Sequence, residues 1–459
     1  MLKVINPATE ELLAELEEDS GDTLARRTGA ARAAQRSWAG TPLAERLATV
    51  RRFGELLQSR QDSLARTLTA EVGKPIRQSR NELTAMQGRI DFFLEHTAAA
   101  IEEETVLQSP GPPPLEERIR YEPLGIVVSI SAWNYPYFVG SNVFLPALLT
   151  GNAVLYKPSE HATLSGLAIA EQLHEAGVPR EIFLLVVGGG ATGRTLLEQD
   201  IDAVCFTGSY ATGRRVAEMS APRLLRVQLE LGGKDPAYVC EDVDVAATAA
   251  ALAEGAFYNA GQSCCAVERI YVHRRVAGAF VEAFVEVVRS LVVGDPLDER
   301  TDIGPLARAA QLDVLEAQVT DAVAHGAVLE LGGRRRAGPG YYFDPTVLTR
   351  ADHRMALMRE ESFGPIIGVQ VVGDDAEAAA LMNDTEYGLT AAVYTRDRSR
   401  AERILAQVNA GSAYWNCCDR VSPRLPWSGR KHSGLGSTLS VAGIRAFVQP
   451  KAWHLRCGG

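Results

Sequence analysis

The sequence predicts an α/β protein made of two doubly wound domains and a protruding β-hairpin. Three observations predict it. The 459 residues amount to about three typical domains of ~150, so two or three separate cores are expected. Short apolar runs alternate with amphipathic segments, the rhythm of a parallel sheet with helices on its faces and ligands at the strand C-termini. A Pro-rich break at 109–114 precedes an alternating stretch at 117–121, which reads as an exposed strand or hairpin leaving the body.

The first hundred residues read mainly as helix, with apolar residues three and four apart among charges at 25–38, 42–59 and 63–71. Buried-strand candidates follow at 125–131, 153–158, 182–187 and 203–208, separated by helix-like segments at 163–176 and 193–198. After Leu231-Gly232-Gly233 a second α/β stretch begins. It has strands near 236–239 and 269–273 and a long helix through 276–292. Repeats and low-complexity tracts are absent.

Composition excludes several classes. Hydrophobic residues at 46% and charged residues at 23% are ordinary for a globular chain and argue against disorder. A net charge of -10 with dispersed Lys and Arg is the wrong sign for gripping a phosphate backbone, so no nucleic-acid partner is expected. No window reaches the ~18 uninterrupted apolar residues of a membrane span. The most apolar stretch, 138–156, is broken by Gly140, Ser141, Asn142, Pro146, Gly151 and Asn152. The first residues lack a basic region followed by an apolar core, so no signal peptide is expected. Seven cysteines, an odd number without CxxC or Cys/His spacing, suggest reduced thiols, no metal and a cytoplasmic enzyme.

Five places carry candidate chemistry. Gly188 to Gly193 spells G-x-G-x-x-G after an apparent strand, but Asp200 and Asp202 come too early for the acid of a dinucleotide fingerprint. That turn is either a phosphate cradle or a tight strand-to-helix connection. A second glycine-bearing turn, 206–213, would also present a helix N-terminus to a phosphate, and two in neighbouring βα units suggest a nucleotide. In Gly261-Gln262-Ser263-Cys264-Cys265 a thiol could be activated as a nucleophile, although most single cysteines are buried and inert. Cys417-Cys418 has no comparable surroundings and reads as structural. Glu230 precedes a flexible Gly pair and could serve as a general base. Asn134 ends a buried strand and carries an amide suited to an oxyanion.

Together these residues resemble the NAD(P)-dependent aldehyde dehydrogenase superfamily over nearly the whole chain. Six segments stand in that family's order: Trp133-Asn134-Tyr135-Pro136, Lys157-Pro158-Ser159-Glu160, 206–213, 230–234, 261–264 and Glu361-Ser362-Phe363-Gly364-Pro365. Pro426-Trp427-Ser428-Gly429 and Ser433-Gly434-Leu435-Gly436 also match, and the 34-residue separation of Glu230 and Cys264 is typical of the family.

The resemblance implies an aldehyde dehydrogenase-like fold: a cofactor-binding domain (1–101 and 124–231), a catalytic domain (232–425) and an oligomerisation arm (102–123 and 444–459). A homodimer or homotetramer is expected. It implies oxidation of a small-molecule aldehyde to an acid through a cysteine thiohemiacetal and thioester. Cys264 would be the nucleophile, Asn134 with the Cys264 N–H the oxyanion donors, and Glu230 the base that activates water. For the cofactor it implies Lys157 and Glu160 at the adenosine ribose and Ser209, in the Gly208 turn, at the pyrophosphate. Glu361 would lie at the nicotinamide ribose, with Phe363, Trp133 and Leu231 alongside, and the Gly188 loop near the adenine. Glu160 favours NAD, since a carboxylate accepts a ribose 2′-hydroxyl and repels a 2′-phosphate, while Lys157 leaves room for NADP.

The aldehyde tunnel would be lined by Tyr135, Phe138, Asn142, Tyr258, Ser263, Val421 and Trp427. These suit an apolar or aromatic aldehyde or, as a ring cage, a cationic aminoaldehyde. Arg420 and Arg424 near its mouth could instead meet a carboxylate. The family often has Arg-Glu after the last Gly of its C-terminal motif, where this chain has Ser437-Thr438, so the resemblance implies no role for that Glu here. Cys265 could form a redox link with its neighbour, against vicinal strain. The rival readings are a CoA-acylating relative, which would generally lack Glu230, and a non-catalytic member of the family.

Overall fold

The computed structural model describes residues 1–111 and 113–456. Residue 112 of the Pro-rich break and residues 457–459 of the expected arm lie outside them. The chain opens on a small antiparallel hairpin, β1 (Leu2–Ile5) and β2 (Leu12–Leu16), where the sequence had suggested mainly helix. Its strands are too short, and Leu12 and Leu13 too exposed, for an alternating pattern to stand out. Helices α1 (Gly21–Gly40), α2 (Leu43–Ser59), α3 (Gln61–Val72) and α4 (Ile76–Ala100) follow. Along α4, Ile76, Leu83, Met86, Ile90 and Phe93 form the apolar stripe that turns inward. Gln78, Glu82 and Arg89 on the same helix are also buried, which apolar packing alone does not explain.

Two antiparallel strands then leave the body, β3 (Glu104–Ser109) and β4 (Leu115–Pro123), the second covering the predicted 117–121. The first α/β unit runs through β5 (Ile126–Ile130), α5 (Pro136–Leu149), β6 (Ala153–Lys157), α6 (Thr163–Ala176), β7 (Phe183–Leu185), α7 (Gly190–Leu197), β8 (Ala203–Thr207), α8 (Tyr210–Ser220) and β9 (Arg226–Glu230). The apolar stretch at 138–156 becomes α5 and β6, buried inside the protein. Phe144 packs edge-on against Phe53, Tyr156 and Phe183, and its truncation would cost about 3–5 kcal/mol. Among the described residues no helix is long and apolar enough to cross a membrane.

The second unit has β10 (Asp235–Val239), α9 (Val245–Phe257), β11 (Val267–His273), α10 (Ala277–Arg289) and α11 (Ala310–Ala324). It continues through β12 (Val328–Leu331), β13 (Thr346–Thr349), α12 (Ala356–Arg359), β14 (Ile366–Val372), α13 (Asp375–Asn383), β15 (Thr390–Tyr394), α14 (Arg398–Leu405) and β16 (Ser412–Trp415). The chain returns as β17 (Gly434–Leu435), α15 (Ser440–Arg445) and β18 (Val448–Arg456).

The sheets are ordered β17-β9-β8-β5-β6-β7, β12-β13-β14-β11-β10-β15-β16 and β18-β4-β3. The first two are parallel except for β17 and β12 at their edges. Each sits over its own core, one drawn mainly from 24–231 and the other from 237–418. In the first sheet the strand order reverses between β5 and β8. That is the switch point where an open α/β sheet leaves a crevice at its strand C-termini.

Candidate active site

Three cavities follow one another from that crevice. The first, about 340 Å³, lies beyond the ends of β5, β6 and β8 and is lined by Trp133, Lys157, Glu160, Gly208 and the α7 residues Gly190 and Gly193. The second, about 300 Å³, shares Trp133 and Gly208 with it and adds Asn134, Ser209, Glu230, Leu231, Cys264, Glu361 and Phe363. The third, about 480 Å³, shares Glu230 and Cys264 with the second and opens between α4, α5 and the 419–427 segment. Cys264 and Glu230 thus face a common passage, although β9 of the first sheet delivers one and the turn before β11 of the second delivers the other.

The turn that carries Cys264 is held in an unusual backbone. Asn259, Ala260 and Gly261 have φ of 53°, 55° and 71°, three consecutive left-handed residues. Such conformations persist only where surrounding bonds over-determine them. The Asn259 N–H donates to Gln78 at 2.9 Å, Gln262 accepts from Ala307 N–H at 2.9 Å, and the Gln262 side chain returns to the Asn259 carbonyl at 3.1 Å. Gly261 is required twice over, because a Cβ there would lie 2.3 Å from the Gly364 carbonyl oxygen. Cys264 is half-buried, and its N–H has no acceptor among the described residues. Asn134 is buried beside it and donates from Nδ2 to the Gln262 carbonyl at 3.1 Å, leaving the second amide hydrogen for the passage.

Glu230 ends β9, where Gly434 of β17 pairs with it across the sheet. Its Oε1 accepts from the Thr438 hydroxyl and its Oε2 from the Thr207 hydroxyl at 3.4 Å. Burial pushes its carboxyl above the usual range, against the pull of Thr438, Arg89 and Thr207. A carboxyl tuned upward is a stronger base once ionised. Thr438 is one of the residues at which the sequence departs from the resembled pattern, and the departure touches the proposed base directly. Cys265 lines the third cavity beside Cys264, but its thiol donates to Asp419 at 3.0 Å, and its contact with Cys264, then burial, hold it well above the usual thiol range.

The first two cavities suit an extended dinucleotide. Lys157 is buried with one hydrogen bond, to the Pro158 carbonyl at 3.1 Å, so two of its donors are unused among the described residues. Glu160 stands beside it and accepts from Ser159 at 3.3 Å. Ser209 caps α8, whose first amides face outward from the helix end. Glu361 lies against Gly232, where a Cβ would come within 2.2 Å of its carboxylate, and accepts from the Gly233 N–H at 3.1 Å. Burial raises Glu361 to about 8. Its loop is anchored by Glu268, which accepts from the amides of Ser362 and Phe363 and from Lys234 Nζ at 2.6 Å. Phe363 meets Trp133 edge-on at 5.5 Å.

Of the sequence-predicted cofactor residues, Gly188 alone stands outside these linings. Glu18 holds its turn by accepting from Gly189 N–H at 3.0 Å and from Thr192. The predicted tunnel residues Tyr135, Phe138, Asn142, Tyr258, Ser263, Val421 and Trp427 all line the third cavity, as do Arg420 and Arg424. Sequence reasoning missed Glu82, Arg89 and Asp419 there. The signal was present in α4, where Gln78, Glu82, Ala85 and Arg89 recur at helical spacing on one face.

Comparison with known proteins bears on the family and the fold. The aldehyde dehydrogenase family model matches residues 1–453. A betaine aldehyde dehydrogenase of Cereibacter sphaeroides is 36% identical over 461 residues, covering 100% of this chain and 94% of that protein. The crystal structure of an NAD-dependent aldehyde dehydrogenase from Sinorhizobium meliloti superposes with a TM-score of 0.96 at 34% identity, covering 100% of this chain and 91% of that one. PnpE, solved in complex with nicotinamide adenine dinucleotide, gives a TM-score of 0.95 at 32% identity, covering 99% and 93%.

Proposed function

The chain belongs to the aldehyde dehydrogenase family and oxidises aldehydes with NAD(P)+, and from that premise we propose a mechanism and a role for each residue. The observation that carries it is that Cys264 and Glu230 line the same two cavities. Cys264, where the second and third cavities meet, gives up its thiol proton to water in the passage and attacks the aldehyde carbon. The oxyanion that forms is met by the free hydrogen of the Asn134 amide and by the Cys264 N–H, donors already in place and needing no reorganisation. The nicotinamide ring, when bound, supplies the hydride acceptor. Cys264 is then left as a thioester. Glu230 removes a proton from water, and the hydroxide so formed displaces the thiol and yields the acid.

Lys157 and Glu160 hold the adenosine ribose, Ser209 with the α8 N-terminus the pyrophosphate, and Glu361 the nicotinamide ribose, flanked by Phe363, Trp133 and Leu231. Glu160 selects NAD. Lys157, Arg194 and Arg215 on the same cavity make NADP a tolerated alternative. Residues 1–101 with 124–231 act as the cofactor-binding domain and 232–425 as the catalytic domain. The sheet of β3, β4 and β18 is the oligomerisation arm. It leaves Val106 and Leu107 exposed on an edge strand, a liability unless a second copy of the chain covers it in a dimer or tetramer. The described cysteines are unpaired, which supports a reducing cytoplasm.

The test is NADH formation from an aldehyde and NAD+ without coenzyme A. Acid should accumulate in step with NADH, and Cys264→Ala should abolish both. A requirement for coenzyme A would transfer the chain to the acylating branch.

A further inference from the structure

Several acidic and basic side chains reach the third cavity, and one deep cation there has no acid in direct contact among the described residues. Glu82 is held by Lys74 Nζ at 2.5 Å and by the Tyr137 and Phe138 amides at 2.9 and 3.4 Å, at the start of α5. Asp419 accepts from Ser263 and Cys265 at 3.1 and 3.0 Å. Glu230 is occupied by Thr438 and Thr207, and Glu254 at the rim pairs with Arg420 at 3.7 Å. Arg89, only 5% exposed, donates from Nη1 to the Asn142 amide oxygen and to the Phe138 carbonyl at 3.5 Å. Its Nε and Nη2 have no acceptor, and it forms no ion pair, among the described residues. Burial pulls the Arg89 pKa down to about 10 against the pull of Glu230 and Glu82, which leaves it charged at neutral pH. A buried charge that no acid contacts directly is costly unless a ligand supplies the contact.

Two of the four rings considered as a cage for a cationic substrate, Tyr135 and Phe138, already carry the protein's own cations. Lys74 Nζ lies 3.7 Å from the centre of the Tyr135 ring, and the Arg89 guanidinium lies 4.0 Å from that of Phe138. The two rings stack on each other, with centroids 6.0 Å apart and planes 10° apart. An ammonium approaching these two rings would meet like charges where it needed an open π-face.

We propose that Arg89 is the specificity-determining residue of the aldehyde cavity, receiving through its free Nε–Nη2 edge a carboxylate carried at the far end of the substrate. The chain then selects ω-carboxyaldehydes over cationic aminoaldehydes. The planar fork matches a carboxylate bidentately, and exposed Arg424 at the cavity mouth adds steering charge. This rests on the aldehyde-oxidising reading of Cys264 and Glu230.

The test compares kcat/KM with NAD+ for succinic semialdehyde, butanal and betaine aldehyde. The carboxyaldehyde should exceed butanal by about tenfold or more, the worth of a charge-assisted hydrogen bond, and betaine aldehyde by more still. Arg89→Met should collapse the carboxyaldehyde-to-butanal ratio about tenfold or more, mainly through KM, and Arg89→Lys should restore part of it. A merely structural role would lower both substrates and leave the ratio alone. Should Arg89→Met fail to fold, the wild-type enzyme still decides: succinate should inhibit butanal oxidation competitively. Preference for betaine aldehyde, an unchanged ratio, or no inhibition by succinate would overturn the assignment. Failure to form NADH from any aldehyde would instead defeat the oxidising reading beneath it.

Discussion

Replacing Thr438 by valine removes the hydroxyl that donates to Glu230 while keeping the shape of the side chain. The carboxyl already lies above its ordinary range because burial outweighs its hydrogen bonds. A hydrogen bond to a charged group contributes about 1.5–3 kcal/mol, so its loss raises the carboxyl by a further one to two pH units or so. Glu230 acts only when ionised. The acid limb of kcat therefore moves to higher pH by the same amount, while the plateau above it changes little. On the limb itself, kcat falls roughly 10–100-fold. The assay is steady-state NADH absorbance at saturating aldehyde and NAD+ across a pH series. Thr207→Val, which removes a longer contact of 3.4 Å, should move the limb less. Superimposable profiles for wild type and Thr438→Val would refute the coupling between this hydroxyl and the base.

Two further outcomes follow from the same geometry. Asn134→Ala removes one oxyanion donor and should lower the rate of the first NADH burst by about 10²–10³, read by stopped flow. Asp235 is buried with Thr390 as its donor at 3.1 and 2.6 Å, and burial raises it to about 8. An unfolded Asp loses its proton near ~3.9, so between these values the native state holds a proton that the unfolded state has released. Stability is therefore fully present below the lower value and is lost as pH rises toward the higher one. Glu361 and Glu71, raised to about 8 and about 7, act in the same direction. The melting temperature should fall as pH rises through this window, and Asp235→Asn should flatten part of the fall.

Much of the architecture was legible because the buried parallel strands announce themselves as short apolar runs. The run at 203–208 became β8, and 163–176 coincides with α6, which Gly177 ends with a φ of 109°. The N-terminal hairpin was not legible, since β1 and β2 pair with each other at the surface and leave no core pattern. The placement of Cys264 beside Glu230 was legible only through motif order. No local periodicity says that the end of β9 and the turn before β11 share a passage. Arg89 was hidden for a different reason. A charged residue in a helix reads as a solvated one, and only the packing of α4 against α5 turns it inward.

The central claim is that Cys264 carries the acyl group and Glu230 releases it. Glu230→Gln, mixed with aldehyde and NAD+, tests it most directly by intact-protein and peptide mass spectrometry. The expected result is a burst of about one NADH per subunit, then near silence, with the acyl mass on the peptide at Cys264. Undiminished steady turnover, or an adduct on Cys265 instead, would contradict it.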